Sequence, residues 1–568
     1  ISRNIGYRNF SELRSALREG ETSEAPAWVK ERVGLFFTSL LDTYDTVEPE
    51  AVVKAAEMIC AAKSVVIFGA LLSAPIAQML EVRLRTNKMF TFFTSDSEVA
   101  VKSLAPNANF GKGKVLRAQY AWEDSALFVA VCLDGEEWTL RDTEIFDPRY
   151  DERDRERRIK ERVRLGIRRV FERVYGLAES PWGILTGVRP MKMVHSMLDR
   201  GFPPEELKVL LQEVYALSPK KADLLLEVAA EQRPYFHPDP NNPIGIYVGI
   251  PFCPTRCSYC SFAAYPLHTH GHLLPAFLEA LHAEIAAVGS LIKELGLEVE
   301  AVYLGGGTPT TVQGADLDRL LGLLREHLCT ATTREFTVEA GRPETLSRET
   351  LSILKANGTQ RICINPQTMH EPTLQAIGRR HTVEEVRTAF AAARDIGIPL
   401  INMDIILGLP GEELPQVRQT LEEIADLGPD NLTVHSLALK RASRLKKDWE
   451  QERIAQEQGE AMVGLARDYA LSWGMSPYYL YRQRHILGDL ENIGYSKPGA
   501  ASVYNIQMME ERQTILALGA GGITKLIAPD LTLARQVNPK CPAAYTAQIR
   551  GCLEERLAAL RRHFSSRY

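Results

Sequence analysis

From residue 243 onward, apolar runs of strand length alternate with amphipathic stretches of helical length. The runs fall near Ile246–Ile250, Val299–Leu304, Glu335–Glu339, Arg361–Ile364, Leu400–Leu407 and Leu432–Leu437. Between the first two, Leu274, Phe277, Leu278, Leu281, Ile285 and Val288 recur at i, i+3, i+4, i+7, the mark of one buried helix face. Six strands with intervening helices predict right-handed βα units on a parallel sheet. The expected fold class is α/β, a partial (βα)-barrel core with an N-terminal α+β module and a helical C-terminal segment. In such barrels ligand chemistry gathers at the carboxyl ends of the strands.

The flanks read differently. Residues 1–95 predict helices and one βα unit, with a strand at Lys63–Phe68 and a Gly-containing turn at Gly69–Ser73. Short strands are expected between Lys114 and Asp142. Arg149–Glu172 interleaves acids and bases at helical spacing, which predicts a solvated helix face rather than a nucleic-acid helix. Pro181–Pro190 is turn-rich, and helices are expected near Met191–Leu198 and Pro204–Leu226. The Pro- and Asn-rich stretch Phe236–Pro243 marks a boundary. Beyond residue 445 the pattern is helical, broken at Trp473–Pro477 and by a Gly-rich turn within Thr514–Thr524, and it closes on an amphipathic helix from Pro542. The division expected is 1–95, an accessory α+β module over 105–235, the barrel over 243–445 and a mostly helical domain over 446–568.

Composition works by exclusion. The 568 residues are 45% hydrophobic and 24% charged, as in globular chains. A formal net charge of −5 gives no reason to expect nucleic acid or an acidic membrane surface. No apolar run of transmembrane length and no signal peptide is read, so a cytoplasmic protein is expected, and the opening Ile1 in place of Met suggests a truncated start. Nine cysteines are too sparse for a disulfide scaffold. Cys60, Cys132, Cys329, Cys363, Cys541 and Cys552 are scattered and read as small buried hydrophobes.

The other three are grouped. Cys253-Pro-Thr-Arg-Cys257-Ser-Tyr-Cys260 sets three thiols on a loop directly after the first strand. Soft thiolates suit an iron–sulfur cluster or zinc, and zinc would need a fourth ligand such as His268 or His270. A four-iron cluster on three thiolates leaves one iron open to a small molecule. The remaining strand ends are polar or Gly-rich. They are Gly305-Gly-Gly-Thr-Pro309, Glu339, Asn365-Pro-Gln367, Asp404 with Gly408-Leu-Pro410, and Ala438. Glycines there let backbone approach a ligand, and Arg379 can hold a carboxylate.

A C-x₃-C-x₂-C loop at the end of a first barrel strand resembles the radical S-adenosylmethionine (SAM) superfamily. Tyr247-x₃-Pro251-Phe-Cys253, Gly305–Pro309, Gln367, Arg379, Asp404–Pro410 and Gly519–Ile523 resemble the oxygen-independent coproporphyrinogen III oxidases. Pro181–Pro190, Val338–Pro343, Ile364–Gln367 and Tyr478–Tyr495 are similar to the HemZ branch, the coproporphyrinogen dehydrogenases. The resemblance runs from about residue 105 to the end. It implies a [4Fe–4S] cluster on Cys253, Cys257 and Cys260, with SAM chelating the open iron. It implies reductive cleavage of SAM to methionine and a 5′-deoxyadenosyl radical that abstracts hydrogen, while the protein orients the cofactor and excludes water. By position, Tyr247, Gly306, Glu339 and Ile523 would contact this SAM. Tyr259, Gly307, Thr308, Gln367, Arg379, Asp404 and Ala438 would line a second SAM, which true oxidases hold beside the first. A tetrapyrrole substrate and an electron donor such as flavodoxin or ferredoxin are further implications. Separately, Gly6–Arg14 and Ala55–Ala77 resemble pieces of an RpiR-type regulator, a helix-turn-helix domain joined to a phosphosugar-binding SIS domain, and are read as a truncated remnant.

One position departs from the pattern. Oxidases carry a fourth cysteine two residues beyond the third, and here Cys260-Ser-Phe262 has Phe, as related haem chaperones do. The expected activity is oxidative decarboxylation of coproporphyrinogen III propionates to vinyl groups, giving protoporphyrinogen IX. The alternatives are a haem-binding trafficking protein and a radical SAM enzyme on another tetrapyrrole, in haem breakdown or methyl transfer. Arg482, Arg484 and His485 among Tyr478, Tyr479 and Tyr481 either grip propionates or belong to a folded interdomain segment. His268, His270 and His272 either ligate haem iron or form a polar loop.

Overall fold

The computed structural model describes residues 64–68, 90–94 and 116–565, apart from 124–125, 134, 177–179, 186, 188, 261, 263, 439–455, 484–485 and 487–489. The regulator-like stretch lies outside the described residues except for strands β1 (Ser64–Phe68) and β2 (Phe90–Thr94), which pair in parallel. The chain forms two compact units, residues 1–146 with 166–177, and residues 147–165 with 178–568.

In the first unit β3 (Leu116–Glu123), β4 (Ala126–Leu133) and β5 (Glu136–Asp142) form an antiparallel meander. Helix α1 (Glu152–Tyr175) ends in this unit. Gly166 allows its backbone close to the sheet, since a Cβ there would stand 2.6 Å from Trp138 and Val131 side-chain atoms.

The solvated charged face expected on α1 is present, with Glu152, Glu156, Arg157 and Arg164 exposed, but other charges of the helix are buried. Asp154, Arg158, Glu161 and Arg162 are buried. Arg158 donates to the Tyr150 hydroxyl at 2.7 Å, and Asp154 is paired with Arg200. Interleaved charge identified the helix but not its surroundings, because a charge that finds a partner can be buried.

The second unit is built on an eleven-stranded sheet. Its centre is six parallel strands in chain order, β6 (Ile244–Ile250), β9 (Val299–Gly306), β10 (Glu335–Glu339), β11 (Arg361–Cys363), β12 (Leu400–Leu407) and β13 (Asn431–Ser436). Two short strands, β7 (Phe252–Cys253) and β8 (Tyr265–Pro266), pair with each other outside this sheet. The crossovers are helices α5 (Leu274–Glu294), α6 (Gly314–Leu328), α7 (Arg348–Ala356), α8 (Val383–Ile396) and α9 (Leu414–Leu427). Their limits are set locally. At α8, Thr382 and Glu385 form a capping box and Gly397 closes the helix at φ 83°. β9 is buried along both faces except at its last residue, as a covered parallel strand should be.

The C-terminal stretch carries α10 (Gln456–Ser472), α11 (Val503–Glu510) and α12 (Pro542–Ser565), and returns strands to both edges of the sheet. β14 (Ser476–Tyr481) and β15 (Asn492–Ser496) continue antiparallel beyond β13. β16 (Ile515–Gly519) lies parallel to β6, followed by β17 (Ile523–Ile527) and β18 (Leu533–Val537). The sheet stays open, as a partial barrel.

On the other flank, α2 (Met191–Asp199), α3 (Pro204–Glu213) and α4 (Pro219–Gln232) precede the Pro- and Asn-rich segment. That segment is stitched to the sheet: Asn241 donates to the Ile527 carbonyl at 3.0 Å. Among the described residues, the stretch Leu267–Glu294 is long and apolar enough to cross a membrane, contrary to the sequence reading. Its apolar surplus has a physical reason, because α5 is covered on two sides. Phe277 meets Phe252 at 5.4 Å and Tyr545 of α12 at 5.3 Å between ring centroids.

Candidate active site at the carboxyl ends of the strands

The thiol loop is laced to its neighbour by backbone. Past Ile250 the chain turns into β7, and its pairing with β8 closes the loop 254–264. Gly307 N–H donates to the Ile250 carbonyl and Thr308 N–H to the Phe252 carbonyl, both at 2.7 Å. This approach requires glycine. A Cβ on Gly307 would lie 2.4 Å from the Phe252 oxygen and 3.0 Å from Cys253 Sγ, and Gly306 sits at φ 115° against the Ile250 backbone.

Cys253 and Cys257 are buried and Cys260 is half-buried. Burial pushes the Cys253 thiol up to about 11, while the Thr308 hydroxyl, which donates to Cys253 Sγ at 3.5 Å, pulls it back. Burial also raises the Cys260 thiol, opposed by the Phe262 backbone N–H. Arg342 Nη1 donates to Cys257 Sγ at 3.3 Å. Each thiol is therefore faced by something that favours anionic sulfur, the form in which thiols bind metal. Among the described residues neither His268 nor His270 is grouped with the thiols as a single ion would require. A four-iron cluster takes its ligands at separate irons, and the thiol loop fits it.

Beside the loop, Glu339 accepts from the Tyr303 hydroxyl at 2.7 Å and from Gly306 N–H at 3.2 Å. Burial pushes its carboxyl up to about 7, against those hydrogen bonds. Gly305 leaves room for it, since a Cβ there would be 3.0 Å from the carboxylate. Tyr247 stacks on Tyr303 and Tyr504, with centroids 6.3 and 6.0 Å apart.

The far side of the mouth holds Gln367, Arg379, Tyr259 and Asp404. Gln367 is held at φ 69°, bridged to β12 by its N–H to the Asp404 carbonyl (3.0 Å) and by Ile406 N–H to its own carbonyl (2.9 Å). Its side-chain Oε1 is buried without a partner, as are Asn365 Oδ1 and Arg379 Nε. Strained backbone and unpaired buried polar atoms lie together here, and a polar ligand could satisfy the latter. Arg379 donates to the Tyr259 hydroxyl at 3.0 Å and to the Gly341 carbonyl at 2.8 Å. Asp404 accepts from Asn402 Nδ2 at 2.7 Å and lies 3.7 Å from His435 Nε2.

Of the outlying candidates, Ala438 bridges to Ile486 beyond β13. Ile523 is 37% exposed and follows the turn after β16, whose Gly519 is paired with Gly249 of β6. Sequence reasoning missed Arg342, Tyr303 and His435 as site residues. Arg342 stood inside Val338–Pro343, a motif whose chemistry was not read. Arg482 is tied into the fold: it is buried, stacks 4.8 Å over Trp182 and donates to the Leu185 carbonyl, which favours the folded-segment alternative. Arg484 and His485 lie outside the described residues. His270 is bonded to Thr269 at 2.7 Å and meets the Tyr265 ring edge-on. Phe262 is 69% exposed beside the loop.

A profile of the radical SAM superfamily matches residues 247–424. The chain is 38% identical over 431 residues to the oxygen-independent coproporphyrinogen-III oxidase-like protein HemZ of Bacillus subtilis, covering 74% of this chain and 85% of that protein. It is 29% identical over 279 residues to the haem chaperone HemW of the same organism, covering 48% and 69%. Among solved structures, coproporphyrinogen III oxidase (HemN) from Escherichia coli aligns with a TM-score of 0.46 and 24% identity, over 57% of this chain and 72% of that one. Radical SAM proteins carry a [4Fe–4S] cluster and SAM, the groups that the thiol loop and its mouth fit. The chain belongs to the radical SAM superfamily and, within it, to the HemZ-type oxygen-independent coproporphyrinogen III oxidase-like family.

Proposed function

We propose that this protein converts propionates of coproporphyrinogen III to vinyl groups, yielding protoporphyrinogen IX without oxygen. The observation that carries this reading is the HemZ likeness, 38% identity across 85% of that relative. When bound, the cluster and SAM supply one-electron reductive chemistry that ends in hydrogen abstraction. The chain's own residues bind and orient. Cys253, Cys257 and Cys260 hold the cluster. Gly306 N–H and Glu339 meet the polar groups of SAM, with Tyr247 and Ile523 against it. Tyr259, Gly307, Thr308, Gln367, Arg379, Asp404 and Ala438 line the adjoining space, where Arg379 suits a carboxylate from a second SAM or from the substrate. Each propionate loses one hydrogen atom from its β-carbon, one electron to an acceptor and one carbon dioxide, twice per substrate. A flavodoxin- or ferredoxin-type donor would supply the reducing electron, in the cytoplasm.

A second reading has its own observation. Phe262 replaces the fourth cysteine of authentic oxidases, and the HemW likeness covers 69% of that chaperone. On this reading the core binds haem for delivery. Chemistry on another tetrapyrrole is the third. Anaerobic reconstitution with SAM, a reductant and coproporphyrinogen III separates them by mass spectrometry. The first reading predicts 5′-deoxyadenosine together with a product lighter by two carbon dioxide units and four hydrogen atoms. SAM cleavage with the tetrapyrrole unchanged contradicts it, and stable haem binding without turnover supports the second.

A further inference from the structure

Arg342 touches the thiol loop in a way that neither SAM binding nor substrate binding requires. It is 4% exposed, and its Nη1 donates to Cys257 Sγ at 3.3 Å. The guanidinium is fixed from both edges. Nη2 donates to Thr255 Oγ1 at 2.7 Å, within the thiol loop itself. Nε and Nη2 both donate to Glu344 Oε1, at 2.8 and 2.5 Å. The backbone is fixed as well, since Thr345 N–H and hydroxyl both return to the Arg342 carbonyl. The Glu344 carboxylate thus occupies the Nε and Nη2 edge, and Nη1 faces the Cys257 sulfur and, at 3.4 Å, the Thr255 carbonyl.

Reduction adds negative charge to an iron–sulfur cluster, and hydrogen bonds and charges at the ligand sulfurs set its potential. Guanidinium is a permanent cation. A buried cation is screened less by water and salt than an exposed one. We propose that Arg342 sets the potential of the cluster through Cys257, easing its reduction, and that Glu344 positions Arg342 and moderates its charge. Arg342 acts here through a ligand and is a positioning residue. The inference rests on the cluster and not on the identity of the tetrapyrrole.

The test is the midpoint potential of the reconstituted full chain, followed by the electron paramagnetic resonance signal of the reduced cluster, with iron content measured in parallel. R342Q is expected to disfavour reduction at least tenfold, which is about 59 mV downward for a one-electron couple. R342K keeps the charge and is expected to shift less. T255V leaves the Glu344 clamp and the Thr255 carbonyl in place to hold Arg342 and is expected to shift the potential less than R342Q. Equal shifts in R342K and R342Q, an equal shift in T255V, or no shift in R342Q would overturn the proposal. Should R342Q fail to take up iron, E344Q decides: removing the opposing charge is expected to raise the potential, and an unchanged or lower value would overturn the proposal.

Discussion

Gly307 decides how closely the second strand's loop can approach the thiols. Its missing Cβ would collide with the Phe252 carbonyl oxygen, a backbone atom held by Thr308 N–H. Gly307→Ala should therefore part the two loops, lowering iron retained per chain after reconstitution and costing about 1–3 kcal/mol by denaturant unfolding. Wild-type iron content and stability would show that the loops are free to separate. At this scale the sequence was informative where chemistry is local. Three thiols in one short loop and a Gly-Gly-Gly run at a strand end announce themselves. Arg342 does not, because its contact with Cys257 spans 85 residues and depends on how the exit of β10 lies against the loop. Gln367 was marked by its place at a strand end and by family resemblance, and its strained backbone became visible only with β12 beside it.

At the scale of elements, buried polar hubs join segments that the hydrophobic pattern treats as independent. Glu284 sits fully buried on α5. It accepts from Gly519 N–H at 2.8 Å, from Tyr545 of α12 at 2.6 Å and from Asn538 at 3.1 Å, and it pairs with Arg556. Glu284→Ala leaves Arg556 uncompensated and should cost roughly 3–5 kcal/mol; a loss below about 1 kcal/mol by chemical denaturation would show the hub to be dispensable.

A second hub links α2, α4 and α11. His195 Nε2 donates to Gln232 Oε1 at 2.7 Å, and Gln232 Nε2 donates to Glu510 Oε1 at 3.1 Å. Burial lowers His195 to about 4 and raises Glu510 to about 7, so the fold favours the neutral form of each. The Glu510 contribution is complete below its unfolded value near 4.5 and is lost as pH rises through about 7. The His195 contribution runs the other way, lost as pH falls from about 6.5 toward 4. Wild type minus Glu510→Gln isolates the first. That stability difference should fall by on the order of 3 kcal/mol between pH 4.5 and 7.5; a difference flat with pH would contradict a neutral Glu510. Such hubs were illegible in the sequence, where Glu284 and Glu510 look like surface carboxylates on amphipathic helices.

For the whole molecule, the legible part was the parallel centre. All six expected runs became neighbouring strands in chain order, because consecutive βα units tend to pack side by side with one favoured hand. The edges were not legible. β16 returns beside β6 from more than 250 residues away in sequence, a pairing that no local period encodes. That return sets Ile523 at the end of the barrel where the thiols lie. The thiol loop, the Glu339 side and the Gln367 side are thus supplied by distant stretches of chain to one mouth. On the proposed function, this mouth directs hydrogen abstraction to a propionate β-carbon. The most direct test uses coproporphyrinogen III deuterated at the propionate β-carbons, incubated anaerobically with the reconstituted protein, SAM and a reductant. Deuterium is expected in the 5′-deoxyadenosine recovered, together with vinyl product. Unlabelled 5′-deoxyadenosine, formed while the deuterated tetrapyrrole is returned intact, would contradict it.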